Sequence, residues 1–101
     1  MNPIHSAQAG TFESSDILIL IEPTDEKAGR KIEIESSVIF QYGQDIKKEI
    51  VSLLDQYNIE DIHLVAKDKG ALSVTIAART ETAILRSIEK SGESIFEIEN
   101  Q

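Results

Sequence analysis

The pattern of apolar and polar positions divides the chain into six elements. Asp16 to Glu22 (D-I-L-I-L-I-E) is a β-branched, Leu-rich run with the composition of a buried strand. It stops at Pro23, which cannot donate to a ladder. Thr24 to Arg30 holds Asp25, Glu26, Lys27 and Gly29 and reads as a turn or surface loop. Lys31 to Ser36 alternates, with Ile32 and Ile34 on one face and Lys31, Glu33 and Glu35 on the other. The two runs are expected to pair as a hairpin.

A helical stripe follows. Ile39, Tyr42, Ile46, Ile50, Leu53, Leu54 and Tyr57 fall on one arc when each residue advances by about 100°. Lys47, Lys48, Glu49, Asp55 and Gln56 take the remaining face. Ser36 or Ser37 is a candidate cap, Gly43 makes the first turn a weak point, and Asn58 suits the exit. Ile62 to Lys67 reads as a third strand, Asp68-Lys69-Gly70 as a tight turn, and Ala71 to Ala78 as a fourth strand on the alternation of Leu72, Val74 and Ile76. Thr80 then caps a closing helix with Ile84, Leu85 and Ile88 on one face, ended by Gly92. The expected fold is α+β: a mainly antiparallel sheet of two hairpins with two helices on one face, in the order ββαββα. Residues 1–101 form a single domain, with a flexible start at 1–9 and a flexible acidic tail at 92–101.

Composition narrows what such a domain does. Ten Lys and Arg stand against eighteen Asp and Glu, a net charge of −8. That field repels nucleic-acid phosphates and anionic headgroups, so neither nucleic acid nor membrane is an expected partner. The apolar run Ile17 to Ile21 falls far short of the roughly 20 residues that span a bilayer. Met1 to Gly10 has neither the basic start nor the apolar core of a signal peptide, so a cytoplasmic location is expected. The chain has no cysteine, which removes disulfides, thiolate metal sites and any thiol nucleophile of its own.

Candidate chemistry is sparse. His5 and His63 are isolated and read as surface or packing residues, not as metal ligands. The carboxylates Glu13, Asp16, Glu22, Asp25 and Glu26 are dense, yet a general acid–base pair needs a concave, partly dry site that so small a sheet domain does not offer. The residues themselves argue against an autonomous enzyme. What remains is Ala9-Gly10-Thr11-Phe12-Glu13-Ser14-Ser15-Asp16, a hydroxyl-bearing polar segment just before a strand. On its own it also fits an ordinary Ser/Asp turn.

That segment resembles the modification site of the citrate lyase acyl carrier proteins, the gamma subunits of that complex. Ser36-Ser37-Val38, Gln41-Tyr42-Gly43, the Ile46/Ile50/Leu53/Leu54 helix, Tyr57-Asn58, Asp68-Lys69-Gly70-Ala71-Leu72 and Ala78-Arg79 follow in the same order, over about residues 9 to 88. The resemblance implies a carrier, not a catalyst. It implies covalent attachment of 2'-(5''-phosphoribosyl)-3'-dephospho-CoA (a phosphoribosyl-dephospho-CoA group) through a phosphodiester at Ser14, the residue directly after Glu13. Ser15 stands where that family often has glycine, and is the alternative acceptor. Glu13 and Asp16 are then either recognition features for the modifying enzyme or plain exposed acids. Implied partners are the alpha (acyl transferase) and beta (lyase) subunits, between which acetyl and citryl thioesters pass, and the holo-carrier synthase that attaches the group. The alternatives are the carrier of citramalate lyase or malonate decarboxylase, or, from another class, a small-molecule-binding or dimerisation module. A hydrolase using Ser14 as nucleophile is the weakest reading, since no histidine pairs with it in the sequence.

Overall fold

A computed structural model describes residues 1–37 and 40–89, with backbone alone at 40–43. The chain runs β1 (Ala7–Gly10), β2 (Ile17–Glu22), β3 (Arg30–Ser36), α1 (Phe40–Gln56), β4 (Ile62–Asp68) and α2 (Ser73–Ile88). Four strands and two helices make an α+β fold, as the pattern indicates. The sheet order is β1-β2-β4-β3. β1 is antiparallel to β2, β2 is antiparallel to β4, and β3 is parallel to β4.

The first expected hairpin is corrected by this order. β2 and β3 are not neighbours, because β4 lies between them. The reason is burial. Ile62, Leu64 and Ala66 of β4 have no exposure at all, and Ile17, Ile19 and Ile21 of β2 have 1% or less. These strands occupy the sheet interior, where burial is greatest. β3, whose outer face carries Lys31, Glu33 and Glu35, lies at an edge, where charge is tolerated and discourages further pairing. A parallel neighbour needs a crossover, and α1 supplies it between β3 and β4.

The second correction concerns residues 71 to 78. They are not a strand; the helix α2 begins at Ser73. Alternation at Leu72, Val74 and Ile76 is outweighed by the helical spacing of Ile76, Thr80, Ala83, Ile84 and Ser87, all buried in α2. Leu72 and Val74 are exposed. Thr80 is therefore a mid-helix residue and caps nothing. The Asp68 carboxylate accepts the N–H groups of Gly70 (3.1 Å) and Ala71 (3.0 Å), turning the chain from β4 toward α2. Asp68 also accepts the Ser36 hydroxyl at 2.9 Å, which ties the end of β3 to the end of β4; the approach from the cap candidates Ser36 and Ser37 to α1 lies outside the described residues. The observed element order is accordingly βββαβα.

The third correction concerns the start. Pro3 is buried, the N–H groups of Ile4 and His5 both donate to the Ser87 carbonyl, and residues 7 to 10 form β1. Asn2 Oδ1 accepts from the N–H groups of Glu60 and Asp61. Residues 2, 4 and 5, ahead of β1, are thus hydrogen-bonded to the rest of the fold.

Ile46, Ile50 and Leu54 of α1 and Ile76, Ala83 and Ile84 of α2 pack with Ile17, Ile19, Ile21, Ile62, Leu64 and Ala66 in one core. Both helices therefore cover the same face of the sheet. The exit of α1 is a Schellman turn. Ile59 N–H reaches Leu54 O (2.9 Å), Asn58 N–H reaches Asp55 O (3.1 Å), and Asn58 holds φ +54°. Asn58 is the exit residue expected from sequence. The helical stripe at Ile39 and Tyr42, Gly43, the end at Gly92 and the tail at 92–101 lie outside the described side chains.

Candidate functional site

The segment singled out by sequence is the loop that joins β1 to β2. Gly10 ends β1 with φ +89°, and the Ile17 carbonyl oxygen lies 1.9 Å from where a Cβ on Gly10 would stand. Only glycine permits the loop to close there. Glu13 to Asp16 then form a four-residue turn, closed by Asp16 N–H donating to Glu13 O at 3.1 Å. Ser14 is the second residue of the turn and is exposed. Ser15 is the third, also exposed, with φ +64°. A third turn position of positive φ favours glycine, which accounts for glycine as the residue more at home there than serine.

Three contacts fix the turn. Asp16 is the first. Its carboxylate accepts the Thr11 hydroxyl (2.7 Å), its neighbour Ile17 N–H (2.7 Å) and both arms of Arg79, Nε at 3.1 Å and Nη2 at 3.1 Å. These donors favour the ionised form and hold the Asp16 carboxyl down at about 2, below its ordinary 3.8, with the Thr11 hydroxyl foremost and Arg79 next. The guanidinium reaches in from α2, 63 residues away. Second, Ser15 N–H donates to Lys69 O (2.8 Å), and Lys69 N–H donates to Asp16 O (3.0 Å). Third, the Phe12 ring, half exposed, lies against the Lys69 ammonium at 4.6 Å and the Lys67 ammonium at 6.0 Å from its centroid.

The turn is therefore a rigid pedestal. Its backbone is tied to the end of β4 and its last carboxylate to α2, while Ser14 stands at the outer corner. Ser14 and Ser15 are brought together with Glu13 and Asp16, as expected. Asp16 is now explained by the turn it locks; Glu13 contributes its carbonyl to the closing bond. Sequence reasoning missed Phe12, Lys67, Lys69 and Arg79 as site residues. A signal existed for three of them, since Phe12, Lys69 and Arg79 lie in the short segments Ala9 to Asp16, Asp68-Lys69-Gly70 and Ala78-Arg79 already set apart.

The remaining carboxylates do not converge on Ser14. Asp61 clasps the β2–β3 connection, accepting Lys27 N–H (3.0 Å), Gly29 N–H (2.8 Å) and Asn2 Nδ2 (3.1 Å); the backbone donors, Gly29 first, hold its carboxyl below the usual range. His63 pairs with Glu33 at 2.6 Å across β3 and β4, and this contact lowers the Glu33 carboxyl. His5 Nε2 meets the Glu89 carbonyl oxygen at 2.6 Å. Both histidines thus occupy surface structural contacts. Among the described residues no group of three or more His, Cys, Asp or Glu is placed to hold a metal ion. Among them, too, no helix is long and apolar enough to cross a membrane.

A group joined by a phosphodiester requires an alcohol with room for a bulky substituent. Ser14, exposed at a turn corner, meets both conditions.

The family model of the malonate decarboxylase delta subunit (MdcD), an acyl carrier, matches residues 4–87. The citrate lyase acyl carrier protein of Lactiplantibacillus plantarum is 48% identical over 84 residues, 83% of this chain and 85% of that protein. The protein of the same description from Latilactobacillus sakei is 46% identical over 84 residues, covering 83% and 81%. That from Halothermothrix orenii is 41% identical over 90 residues, covering 89% and 93%. Among solved structures, a Pseudomonas malonate decarboxylase hetero-tetramer in complex with malonate contains a chain that superposes with a TM-score of 0.63 at 21% identity, over 79% of this chain and 80% of that one. At that identity the likeness is one of fold.

Proposed function

The chain belongs to the citrate lyase acyl carrier protein family, and from that premise we propose that it is the carrier subunit of a citrate lyase, with Ser14 as its attachment point. The observation that carries this reading is an exposed serine hydroxyl at the corner of a turn whose backbone and flanking carboxylate are fixed. A carrier needs that and little more: a constant point of attachment on a rigid body.

The group joined at Ser14 is a phosphoribosyl-dephospho-CoA, and when attached it supplies the thiol that a cysteine-free chain lacks. The chain's residues perform the mounting. Arg79 and Thr11 orient Asp16, Asp16 closes the turn, and the turn presents Ser14 outward. Tethering an acyl group to such a mount keeps it at high local concentration for two partner active sites in succession. Those partners are the alpha (acyl transferase) and beta (lyase) subunits, with the holo-carrier synthase acting earlier on Ser14. A cytoplasmic setting fits these partners. The chain itself is no catalyst.

Ser14 is chosen over Ser15 because of the backbone. Ser15 occupies the left-handed conformation with its N–H committed to Lys69 O, the place where glycine serves equally well.

The malonate decarboxylase family model gives a second reading, the carrier of a malonate decarboxylase. Reconstitution decides. The modified chain is combined with alpha and beta subunits from its own source, and citrate, citramalate and malonate are offered in turn. Cleavage of citrate that vanishes with Ser14→Ala is the expected result. Turnover of malonate or citramalate in place of citrate refutes the substrate, and full turnover by Ser14→Ala refutes the attachment point.

A further inference from the structure

We propose that Lys67, Lys69 and Phe12 form an anion-binding site that holds the phosphates of the group carried on Ser14; the inference rests on the Ser14 reading and deepens it.

The chain is strongly acidic, at −8, yet two ammonium groups converge on one aromatic ring in the loop that carries Ser14. Lys69 Nζ lies 4.6 Å and Lys67 Nζ 6.0 Å from the Phe12 centroid. Attraction to the ring face accounts for each lysine singly. It does not remove the repulsion between two like charges sharing that ring, which an anion near both would offset. The nearby carboxylates do not fill this role. Glu35 is the cross-strand partner of Lys67 in the sheet register, and Glu13 follows Phe12, yet among the described residues neither forms an ion pair with either lysine. Arg79, the other cation at the loop, is committed to Asp16.

The geometry is also fixed. Ser15 N–H to Lys69 O and Lys69 N–H to Asp16 O tie the Lys69 backbone to the residues that follow Ser14. Lys67 is held in β4 opposite Leu18 of β2. Backbone hydrogen bonds therefore hold Lys69 against the Ser14 turn, and Lys67, from the sheet, reaches the same Phe12 ring. Ammonium groups bind phosphate as point charges. A weak site suffices, because a tethered ligand faces it at an effective concentration in the millimolar range.

The test uses the whole chain, isolated unmodified and from cells holding the maturation enzymes. Peptide mass mapping first locates the added mass. Proton and phosphorus NMR then compare the two forms. On modification, the Phe12 ring and the Lys67 and Lys69 ε-methylene signals are expected to move. The pyrophosphate phosphorus signals of the dephospho-CoA part, whose bonding the ester link to Ser14 leaves unaltered, should differ from those of the free prosthetic compound. Raising salt to about 1 M, where the screening length falls to about 3 Å, should reverse both effects. The double variant K67Q/K69Q should give pyrophosphate signals equal to those of the free compound, whereas K67R/K69R should retain the shift. Added mass at Ser14 with unmoved lysine and phosphorus signals overturns this site and leaves the attachment reading standing. Shifts that persist in K67Q/K69Q overturn it equally. No added mass at Ser14 refutes the attachment reading, and this site with it.

Discussion

Replacing Asp16 by Asn tests whether one carboxylate locks the Ser14 turn. Asp16 accepts from Thr11, Ile17 and both arms of Arg79, and titrates at about 2 in place of 3.8. Such a displacement corresponds to about 2 kcal/mol of preference for the ionised form in the folded state. The Asp16 side chain is 15% exposed but that of Arg79 is 43% exposed, so solvent screening reduces the ion pair's share. The expected loss for Asp16→Asn is therefore about 1–2 kcal/mol near neutral pH, or roughly 4–16 °C in Tm at about 4–8 °C per kcal/mol. The sign in pH follows from a depressed pKa. The contribution is complete above the unfolded value of 3.8 and is lost as pH falls toward about 2. Glu33 and Asp61 are also lowered, so both proteins lose stability on acidification; only the difference between them reports Asp16. Urea unfolding followed by circular dichroism, at pH values from about 7 down to about 2, measures that difference. It should hold constant above about pH 5 and shrink steadily below about pH 4. A difference that stays constant to the lowest pH, or is absent near neutrality, refutes the argument.

Two further substitutions probe the packing around the site. Thr80 lies fully buried in α2, and among the described residues its hydroxyl has no hydrogen-bond partner. Thr80→Val keeps the shape and removes the stranded group, so thermal unfolding should show a gain of about 1 kcal/mol; a loss would reveal a bond the hydroxyl makes. Gly10→Ala sets a Cβ against the Ile17 carbonyl at a positive φ, whereas Gly29→Ala, at φ +82°, meets nothing within 4 Å. The second should cost about 1–2 kcal/mol from conformation alone and the first clearly more, so equal losses in denaturant titrations would contradict the close approach at Gly10.

The legibility of this fold in its sequence divides along a physical line. Elements that bury a regular face were readable. The Ile17/Ile19/Ile21 strand, the alternating Ile32/Ile34 strand, the Ile46/Ile50/Leu54 helix and its exit at Asn58 all stand where the pattern puts them. Pairing was not readable, because consecutive strands are neighbours only as a tendency, and the local pattern of β2 and β3 carries no mark of β4 between them. Ala71 to Ala78 misled because five residues of alternation precede the helical period, which emerges only when Thr80, Ala83, Ile84 and Ser87 are counted with Ile76. β1 escaped because Ala-Gln-Ala-Gly has no β-branched residue and buries little beyond Ala9. At the site, Ser14 and its acidic neighbours were visible as one contiguous segment. Arg79, Lys67 and Lys69 were not, since each reaches that segment only through the sheet order and the placement of α2.

The most direct measurement is the mass of the chain made alongside its maturation enzymes, in three forms: wild type, Ser14→Ala and Ser15→Gly. One added prosthetic unit is expected on the wild type and on Ser15→Gly, located by peptide mapping to Ser14, and none on Ser14→Ala. An unaltered mass gain in Ser14→Ala, or its disappearance in Ser15→Gly alone, would contradict that expectation.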